Sequence, residues 1–175
     1  SKNRVPEKVE CGGGPASNAA YLLAKWGLDV TFIGVVGNDV FGQKIKKEFD
    51  SVGVDTRYLQ ISDEYETPIS FIIPNITNGT RTTMTYRDSR IRAKDVELDF
   101  IPDVIFIDGQ EYELSVGLLN KYKDALSIID AGSLTKERVE LCKMVDYVVA
   151  SKKFAEDYTQ IKIDYSDFST LERLY

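Results

Sequence analysis

The chain has 175 residues, of which 43% are hydrophobic and 29% are charged, a balance typical of a globular protein that buries a core. Its formal net charge of -6 argues against general nucleic-acid binding, because neutralising phosphates requires an excess of lysine and arginine. The chain contains no histidine, which excludes a Ser-His-Asp triad, a histidine general base and a histidine-ligated metal within it.

The two cysteines, Cys11 and Cys142, are far apart and match no metal-ligand spacing, which favours a reduced protein of the cytoplasm. No apolar run is long enough to cross a bilayer, and the opening SKNRVPEK lacks the apolar centre of a secretory signal. We therefore expect a cytoplasmic protein with neither a membrane nor a nucleic acid as partner.

The first predicted helix follows three glycines and a proline, covers residues 16–26 and stops at Gly27. It is apolar over much of its surface, which predicts a buried helix. A β-branched run then predicts a strand at residues 29–36. Alternating apolar and charged residues predict a surface helix at residues 41–51, which ends at Gly53.

The middle of the chain has the composition of a β-hairpin. Residues 69–73 and 80–86 are rich in Ile, Phe, Thr and Tyr, and the turn-forming segment PNITNG joins them. In the second run, Thr82, Met84 and Tyr86 alternate with polar residues, which predicts one packed and one solvated face. These polar residues are Arg81, Thr83, Thr85 and Arg87.

Strands and helices alternate in the last part of the chain. The predicted strands are residues 103–108, 126–130 and 147–150, and the predicted helices are residues 114–123, 135–143 and 153–158. These strands are continuous apolar runs, as expected where helices cover both faces of a parallel sheet. The pattern predicts one domain, an α/β layered core with an inserted hairpin.

The glycine run at Gly12, Gly13 and Gly14 lies directly against the first helix, with Pro15 suited to its first turn. Amides at a helix start carry partial positive charge, so a polyhydroxylated or phosphorylated ligand fits this position. A tight turn without a ligand is the alternative interpretation.

The spacing of these glycines differs from both the dinucleotide fingerprint and the P-loop. It resembles the first signature of the ribokinase (PfkB) carbohydrate kinase family, and all its positions are filled: Gly13, Gly14, Ala16, Asn18, Ala20, Gly27 and Gly37. Residues 34–59 resemble the continuation of that family, including its G-x-D-x-x-G run at residues 37–42. The hairpin, IDGQE and VDYVVASKKFAE follow in the family's order, so the resemblance covers nearly the whole chain.

The resemblance implies a partial ribokinase-like domain over residues 1–175, with a layered α/β core and a mostly parallel sheet. It also implies a small β-strand lid at about residues 67–88, accompanied by a strand near residues 5–11. Such a lid covers the sugar and often forms a dimer contact, which implies a homodimer through the lid. Thr83, Thr85 and Arg87 face either the substrate or water. The basic group of Arg81, Arg87, Arg90 and Arg92 forms either an anion site or a solvated cluster.

The resemblance also implies roles for individual residues. Gly13, Gly14 and Asn18 take the places that contact sugar hydroxyls, with a helix-capping amide as the alternative for Asn18. Gln110 falls where ribokinase has a sugar-contacting glutamate. Ser151 falls in the segment near the nucleotide phosphates and the metal, and the alternative for it is an exposed helix cap.

The activity implied is phosphorylation of a sugar or nucleoside hydroxyl, with ATP as donor and Mg²⁺ as cofactor. The family's catalytic aspartate lies in a D-T-x-G-A-G-D segment, which these 175 residues do not contain. We therefore assign no catalytic residue, expect the base downstream of Tyr175, and expect this polypeptide alone to be inactive. A non-catalytic sugar-binding or dimerisation module is the alternative, and a Rossmann-type dehydrogenase is disfavoured by the glycine spacing.

Overall fold

The computed structural model describes residues 7–163, which form two units, residues 7–93 and residues 94–163. The first unit contains α1 (Pro15–Lys25), β1 (Gly34–Gly37), α2 (Val40–Val52), β2 (Leu59–Ser62), β3 (Ile69–Pro74) and β4 (Arg81–Tyr86). The second contains β5 (Val104–Ile107), α3 (Tyr112–Lys121), β6 (Leu126–Ala131), α4 (Lys136–Cys142), β7 (Tyr147–Ala150) and α5 (Lys152–Thr159). The predicted alternation of helices and strands is present in both units.

Helix α1 begins and ends where the sequence predicts, with Gly14 before Pro15 and Gly27 after its last turn. The prediction that it is buried was wrong. Only Ala20 and Ala24 are buried, whereas Leu22 is 44% exposed. The face toward the core consists of small side chains, so the helix packs closely on that side and leaves its large apolar residues outside.

Strands β1 and β2 pair in parallel, with Gly34 opposite Leu59, and α2 connects them. The sequence did not predict β2, since LQIS is short and mixed in polarity. Residues 30–33, predicted as strand, form only an isolated bridge between Thr31 and Asp55. In this bridge the backbone of Asp55 forms hydrogen bonds with the Val30 carbonyl oxygen and the Phe32 amide. Helix α2 ends at Gly53 as predicted, because the φ of 83° there favours glycine.

A small apolar core supports this unit. Its buried members are Ala20, Ala24, Phe49 and Val54. Phe49 is only 2% exposed, and its ring centroid lies 4.7 Å from that of Phe32. The two rings therefore link the strand region before β1 to helix α2.

The Asp39 junction, formed by the Asp39 carboxylate and Thr67, joins the end of β1, the start of α2 and the base of the hairpin. One carboxylate oxygen of Asp39 accepts hydrogen bonds from the amides of Phe41 (3.0 Å) and Gly42 (2.8 Å) and from the Thr67 hydroxyl (2.8 Å). The other accepts from the Thr67 amide (2.8 Å), while the Thr67 hydroxyl oxygen accepts from the Gly37 amide (2.9 Å). The side chain of Asp39 thus caps α2 and fixes the entry to the hairpin.

The same contacts explain the G-x-D-x-x-G run. A Cβ at Gly37 would lie 2.6 Å from the Thr67 amide nitrogen and from a carboxylate oxygen of Asp39. A Cβ at Gly42 would lie 2.1 Å from the carbonyl oxygen of Gly37. Both positions therefore require glycine for space rather than for an unusual φ.

The hairpin of β3 and β4 is antiparallel, with Phe71 opposite Met84, and it lies where the sequence predicts a hairpin. The predicted alternation gives one apolar face and one mainly polar face, on which Ile72 is the apolar exception. The prediction that one face is packed was wrong, because every residue of β4 is exposed. Phe71 is 63% exposed. No described element of this unit covers the apolar face.

The structure assigns no strand to residues 7–11, where the resemblance implied one, and Val5 and Pro6 lie outside the described residues. Side chains of α2 hold this segment instead. The Lys44 ammonium donates to the carbonyl oxygen of Glu10 (3.2 Å), and the Gly12 amide donates to the Glu48 carboxylate (2.7 Å). These contacts attach the segment to α2 without a neighbouring strand.

In the second unit, β5, β6 and β7 form a parallel sheet in that order. Its core is made of six buried residues: Ile105, Ile107, Leu119, Ala125, Ile129 and Leu141. The prediction that both faces of every strand are covered holds for the centre of β6, where Ile129 is fully buried. It was wrong for the edge strand β7, whose residues are all exposed among the described residues.

We expect Asp39→Asn to lower the free energy of unfolding by about 1–3 kcal/mol at neutral pH, since an amide NH₂ would face the Thr67 amide. Burial alone would raise the pKa of Asp39, but the hydrogen bonds from Thr67 and Gly42 outweigh burial and lower it below its ordinary value of 3.8. The stabilisation is therefore complete above pH ~4 and is lost as the pH falls through the folded-state pKa. Urea unfolding between neutral and acid pH measures both effects.

The exposed Asp29→Asn variant is the matched control, and it should keep the acid dependence of the unmodified protein. Equal pH profiles for Asp39→Asn and Asp29→Asn would contradict the role of the Asp39 junction.

Candidate functional site

The glycine cradle, Gly12 to Gly14 together with the first turn of α1, presents two unused backbone donors. The amides of Gly13 and Gly14 donate no hydrogen bond to any described residue. A Cβ at Gly13 would meet nothing within 4 Å, so space lies open in front of this residue. Gly14 has a φ of 100°, which side-chain-bearing residues rarely adopt.

Asn18 lies one turn into α1 and is exposed. Its backbone amide donates to the Gly14 carbonyl oxygen (2.9 Å), and its side chain forms no hydrogen bond with the part of the chain that the structure describes. Helix α1 also has no side-chain cap. The alternative interpretation of Asn18 as a helix cap was therefore wrong, and its carboxamide has no partner among the described residues.

Helix α2 holds the cradle in place. The Glu48 carboxylate accepts the Gly12 amide, and a Cβ at Gly12 would approach that carboxylate to 2.8 Å. Lys44, one turn earlier, binds both the carbonyl and the carboxylate of Glu10. Hydrogen bonds from Lys8 and Lys44 lower the pKa of Glu10. Sequence reasoning missed Glu48 and Lys44, because they look like ordinary exposed residues of an amphipathic helix.

The hairpin region carries a paired set of charges. Arg90 forms a salt bridge with Asp88 (2.8 Å) and lies over the ring of Tyr65. Hydrogen bonds from Arg90 lower the pKa of Asp88 to about 2. On the polar face of the hairpin, the Thr85 hydroxyl is bonded to Ser70 (2.8 Å). The charge of Arg90 is therefore already balanced, which favours a solvated cluster over an anion site at Arg90.

In the second unit, Gln110 and Ser151 lie at the carboxyl ends of β5 and β7, the edge where α/β sheets bind ligands. Gln110 is exposed, and its amide donates to the Asp108 carboxylate (3.0 Å). The Ser151 hydroxyl donates to the Gly132 carbonyl oxygen (2.6 Å) and accepts from the Phe154 amide (3.0 Å). Ser151 is thus the cap of α5, and its single proton is in use.

Arg138 is the main feature of this edge that sequence reasoning missed. The residue is only 7% exposed, and its guanidinium donates to the carbonyl oxygen of Asp108 after β5 (3.2 Å) and to Ser133 after β6. Gly109, with a φ of 72°, lies against it, and a Cβ there would be 2.9 Å from Nε. Only the tertiary structure brings Arg138 to the strand ends, 30 residues after Asp108.

Residues 7–163 contain no group of three or more Asp, Glu, His or Cys side chains that would hold a metal ion. Both cysteines are free, as predicted, and burial raises the pKa of Cys142. No helix in this described part combines the length and the apolar content that are required to traverse a bilayer.

The sequence matches the pfkB family of carbohydrate kinases over residues 1–157. The chain belongs to the pfkB family. Ribokinase of Haemophilus influenzae is 23% identical over 162 residues, which cover 86% of this chain and 52% of that protein. Aminoimidazole riboside kinase of Salmonella typhimurium is 30% identical over 90 residues, covering 49% of this chain and 28% of that protein.

Solved structures support the fold. Arabidopsis thaliana ribokinase complexed with ribose and ATP matches with a TM-score of 0.76 and 16% identity, covering 98% of this chain and 62% of that chain. Fructokinase with bound ATP from Xylella fastidiosa matches with a TM-score of 0.68 and 19% identity, covering 99% and 62%. The predicted ribokinase-like α/β fold is confirmed, and this pfkB chain spans about half the length of Haemophilus ribokinase.

We expect Gly14→Ala to lower the free energy of unfolding by about 1–3 kcal/mol, since alanine would be held in a backbone region suited to glycine. Gly13→Ala is the matched control, because its Cβ would enter open space, and it should change stability by less than about 1 kcal/mol. Urea titration followed by circular dichroism distinguishes the two. Equal stabilities for both variants would contradict the backbone conformation of the cradle.

Proposed function

We propose that the protein containing this chain transfers the terminal phosphoryl group of ATP to a hydroxyl of a sugar or nucleoside. The observation that carries the proposal is the glycine cradle of this pfkB family member. The unbonded amides of Gly13 and Gly14 and the unpartnered carboxamide of Asn18 all belong to the six residues that lead into and start α1. Family membership supplies the reaction class, and the cradle supplies a binding surface suited to its acceptor.

The donors and acceptors of the cradle match a polyhydroxylated ligand. The two amides can each donate to a hydroxyl oxygen, while the Asn18 carboxamide can both donate and accept. A ring with adjacent hydroxyl groups satisfies all three, whereas an apolar ligand would leave them unpaired at a free-energy cost. The role of Gln110 as a sugar contact stays a prediction.

The proposed nucleotide position is the carboxyl edge of β5, β6 and β7. Both solved structures named above contain ATP, which supports ATP as the donor. Because the Ser151 hydroxyl proton is bonded to Gly132, we propose that Ser151 positions the turn before α5 rather than donating to a phosphate. We also propose a cytoplasmic location, which is supported by the two free cysteines.

The described residues do not form a protein-only cage for Mg²⁺. Mg²⁺ is normally bound through substrate phosphates with one or two carboxylates, so we propose it only as an ion that enters with ATP. We assign no general base among the aspartates at the ends of the strands. We propose that the base is supplied from outside these 175 residues. The lid would contribute by excluding water, which otherwise competes with the acceptor hydroxyl.

The test is a coupled ADP-release assay of the intact natural protein against a panel of sugars and nucleosides. We expect turnover with at least one of them. Asn18→Ala should raise the KM for that acceptor about 3- to 10-fold, as expected for losing a hydrogen bond worth roughly 0.5–1.5 kcal/mol. The KM for ATP should be unchanged.

Asn120→Ala, an exposed asparagine on α3, is the control and should leave both KM values unchanged. Saturable acceptor binding without any ADP release would favour the non-catalytic binding module instead. Neither binding nor turnover with the whole panel would refute the proposed function.

We also propose that the apolar face of the lid is covered by a second copy of this chain. Pairing places Phe71, Ile73, Met84 and Tyr86 on one face of the hairpin, and each is more than half exposed. The opposite face carries Thr83 and Thr85, which suits contact with water or a hydroxylated ligand. An exposed apolar strand face of this kind is typical of an association surface.

Phe71→Asp should weaken dimerisation by at least about 30-fold, since aromatic residues at the centre of an interface commonly contribute 2 kcal/mol or more. Thr83→Asp, on the opposite face of the same hairpin, should leave the dimer intact. Sedimentation velocity over a concentration series measures both. A monomeric unmodified protein would contradict this assignment.

A further inference from the structure

The carboxyl edge of the second unit contains a buried positive charge whose partners are all neutral. Nε of Arg138 donates to the Asp108 carbonyl oxygen, and Nη1 donates to the carbonyl oxygen and the hydroxyl oxygen of Ser133. Arg138 forms no ion pair with any described carboxylate. Buried charges in proteins are normally paired with an opposite charge, because removal from water is costly. The guanidinium is therefore short of a counter-ion.

The third guanidinium nitrogen, Nη2, is unused. It makes no hydrogen bond within residues 7–163, yet no fully buried side-chain nitrogen or oxygen in that range lacks a partner. Nη2 must therefore be in contact with solvent, even though the residue as a whole is 7% exposed. A donor with two free protons lies open at the end of a side chain that is otherwise fixed.

The two loops that the Arg138 guanidinium joins each contain a glycine. The guanidinium joins the loop after β5 to the loop after β6, and these loops contain Gly109 and Gly132, which carry no side chains. This is the edge where parallel α/β sheets bind ligands. The arginine is rigid before any ligand arrives, because Nε and Nη1 are already bonded. A ligand therefore need not order a flexible side chain.

From these observations we propose that Arg138 is an oxyanion-binding residue, whose Nη2 binds a phosphate or carboxylate group at the carboxyl edge of β5 and β6. A guanidinium is the donor best suited to such groups, since its planar N–H array matches their oxygens. The inference goes beyond the proposed function, because binding an oxyanion requires no turnover. Within that function, the oxyanion belongs either to the nucleotide or to an anionic acceptor.

The first test is calorimetric titration of the intact protein at constant ionic strength with inorganic phosphate and with gluconate, and with glucose as the neutral analogue of gluconate. We expect saturable binding of phosphate or gluconate. Arg138→Met should weaken it about 10- to 100-fold, as expected for loss of a charge-assisted hydrogen bond. Arg57→Met, which removes an exposed arginine paired with Asp55, should leave it unchanged. Equal affinities in the Arg138→Met and unmodified proteins would overturn the proposal.

A second measurement needs no substitution, which matters because Arg138 also connects Asp108 to Ser133 and its loss can unfold the protein. The side-chain N–H resonances of Arg138 are followed by NMR during phosphate and gluconate titrations of the unmodified protein. We expect saturable shifts with the same dissociation constant as the calorimetric one. Resonances that stay unchanged while phosphate and gluconate reach saturation elsewhere would overturn the assignment to Arg138.

Kinetics of Arg138→Met then distinguish the two sources of the oxyanion. A rise confined to the KM for ATP assigns the group to the nucleotide, and a rise confined to the acceptor KM assigns it to the acceptor. Unchanged values for both would overturn the proposal. If the unmodified protein binds phosphate through Arg138 but phosphorylates no acceptor, the kinase proposal fails while the oxyanion site stands.

Discussion

The first unit depends on one carboxylate. Asp39 accepts four hydrogen bonds, two from the start of α2 and two from Thr67 at the base of the lid. Because Thr67 also accepts the amide of Gly37, the end of β1 is included in the same group. Each bond is modest alone, but the loss of one partner would leave other buried donors unsatisfied, which is what makes the group cooperative.

The geometry of the cradle follows from this constraint through α2. Asp39 fixes the beginning of the helix, and Lys44 and Glu48 lie farther along it on the side that holds Glu10 and Gly12. A helix rises about 1.5 Å per residue, so Glu48 lies roughly 13 Å along α2 from Asp39. Because α2 is one rigid element, the Asp39 junction also determines where the residues that hold the cradle lie. The free amides of Gly13 and Gly14 are consequently held in place by contacts that involve neither of them.

The second unit uses an arginine where the first uses an aspartate. Arg138 joins the loops after β5 and β6, and Ser151 ties the end of β7 to Gly132. In both units a single side chain connects segments that are distant in sequence, and in the second unit it does so next to the proposed ligand position. Such connections limit local motion where a ligand must be oriented, because a rigid site loses less entropy on binding.

The sequence by itself determined the family, most element positions and the glycine cradle, because glycine spacing, hydrophobic period and turn residues are local signals. It did not reveal the exposed faces of α1, of the lid and of β7. An apolar pattern shows which side chains can be buried, but it does not show which other element packs against them. The short strand β2 carries too little periodicity to be recognised. Only the tertiary structure showed that Glu48 holds Gly12 and that Arg138 reaches Asp108, because such contacts arise when residues about 30 positions or more apart fold together.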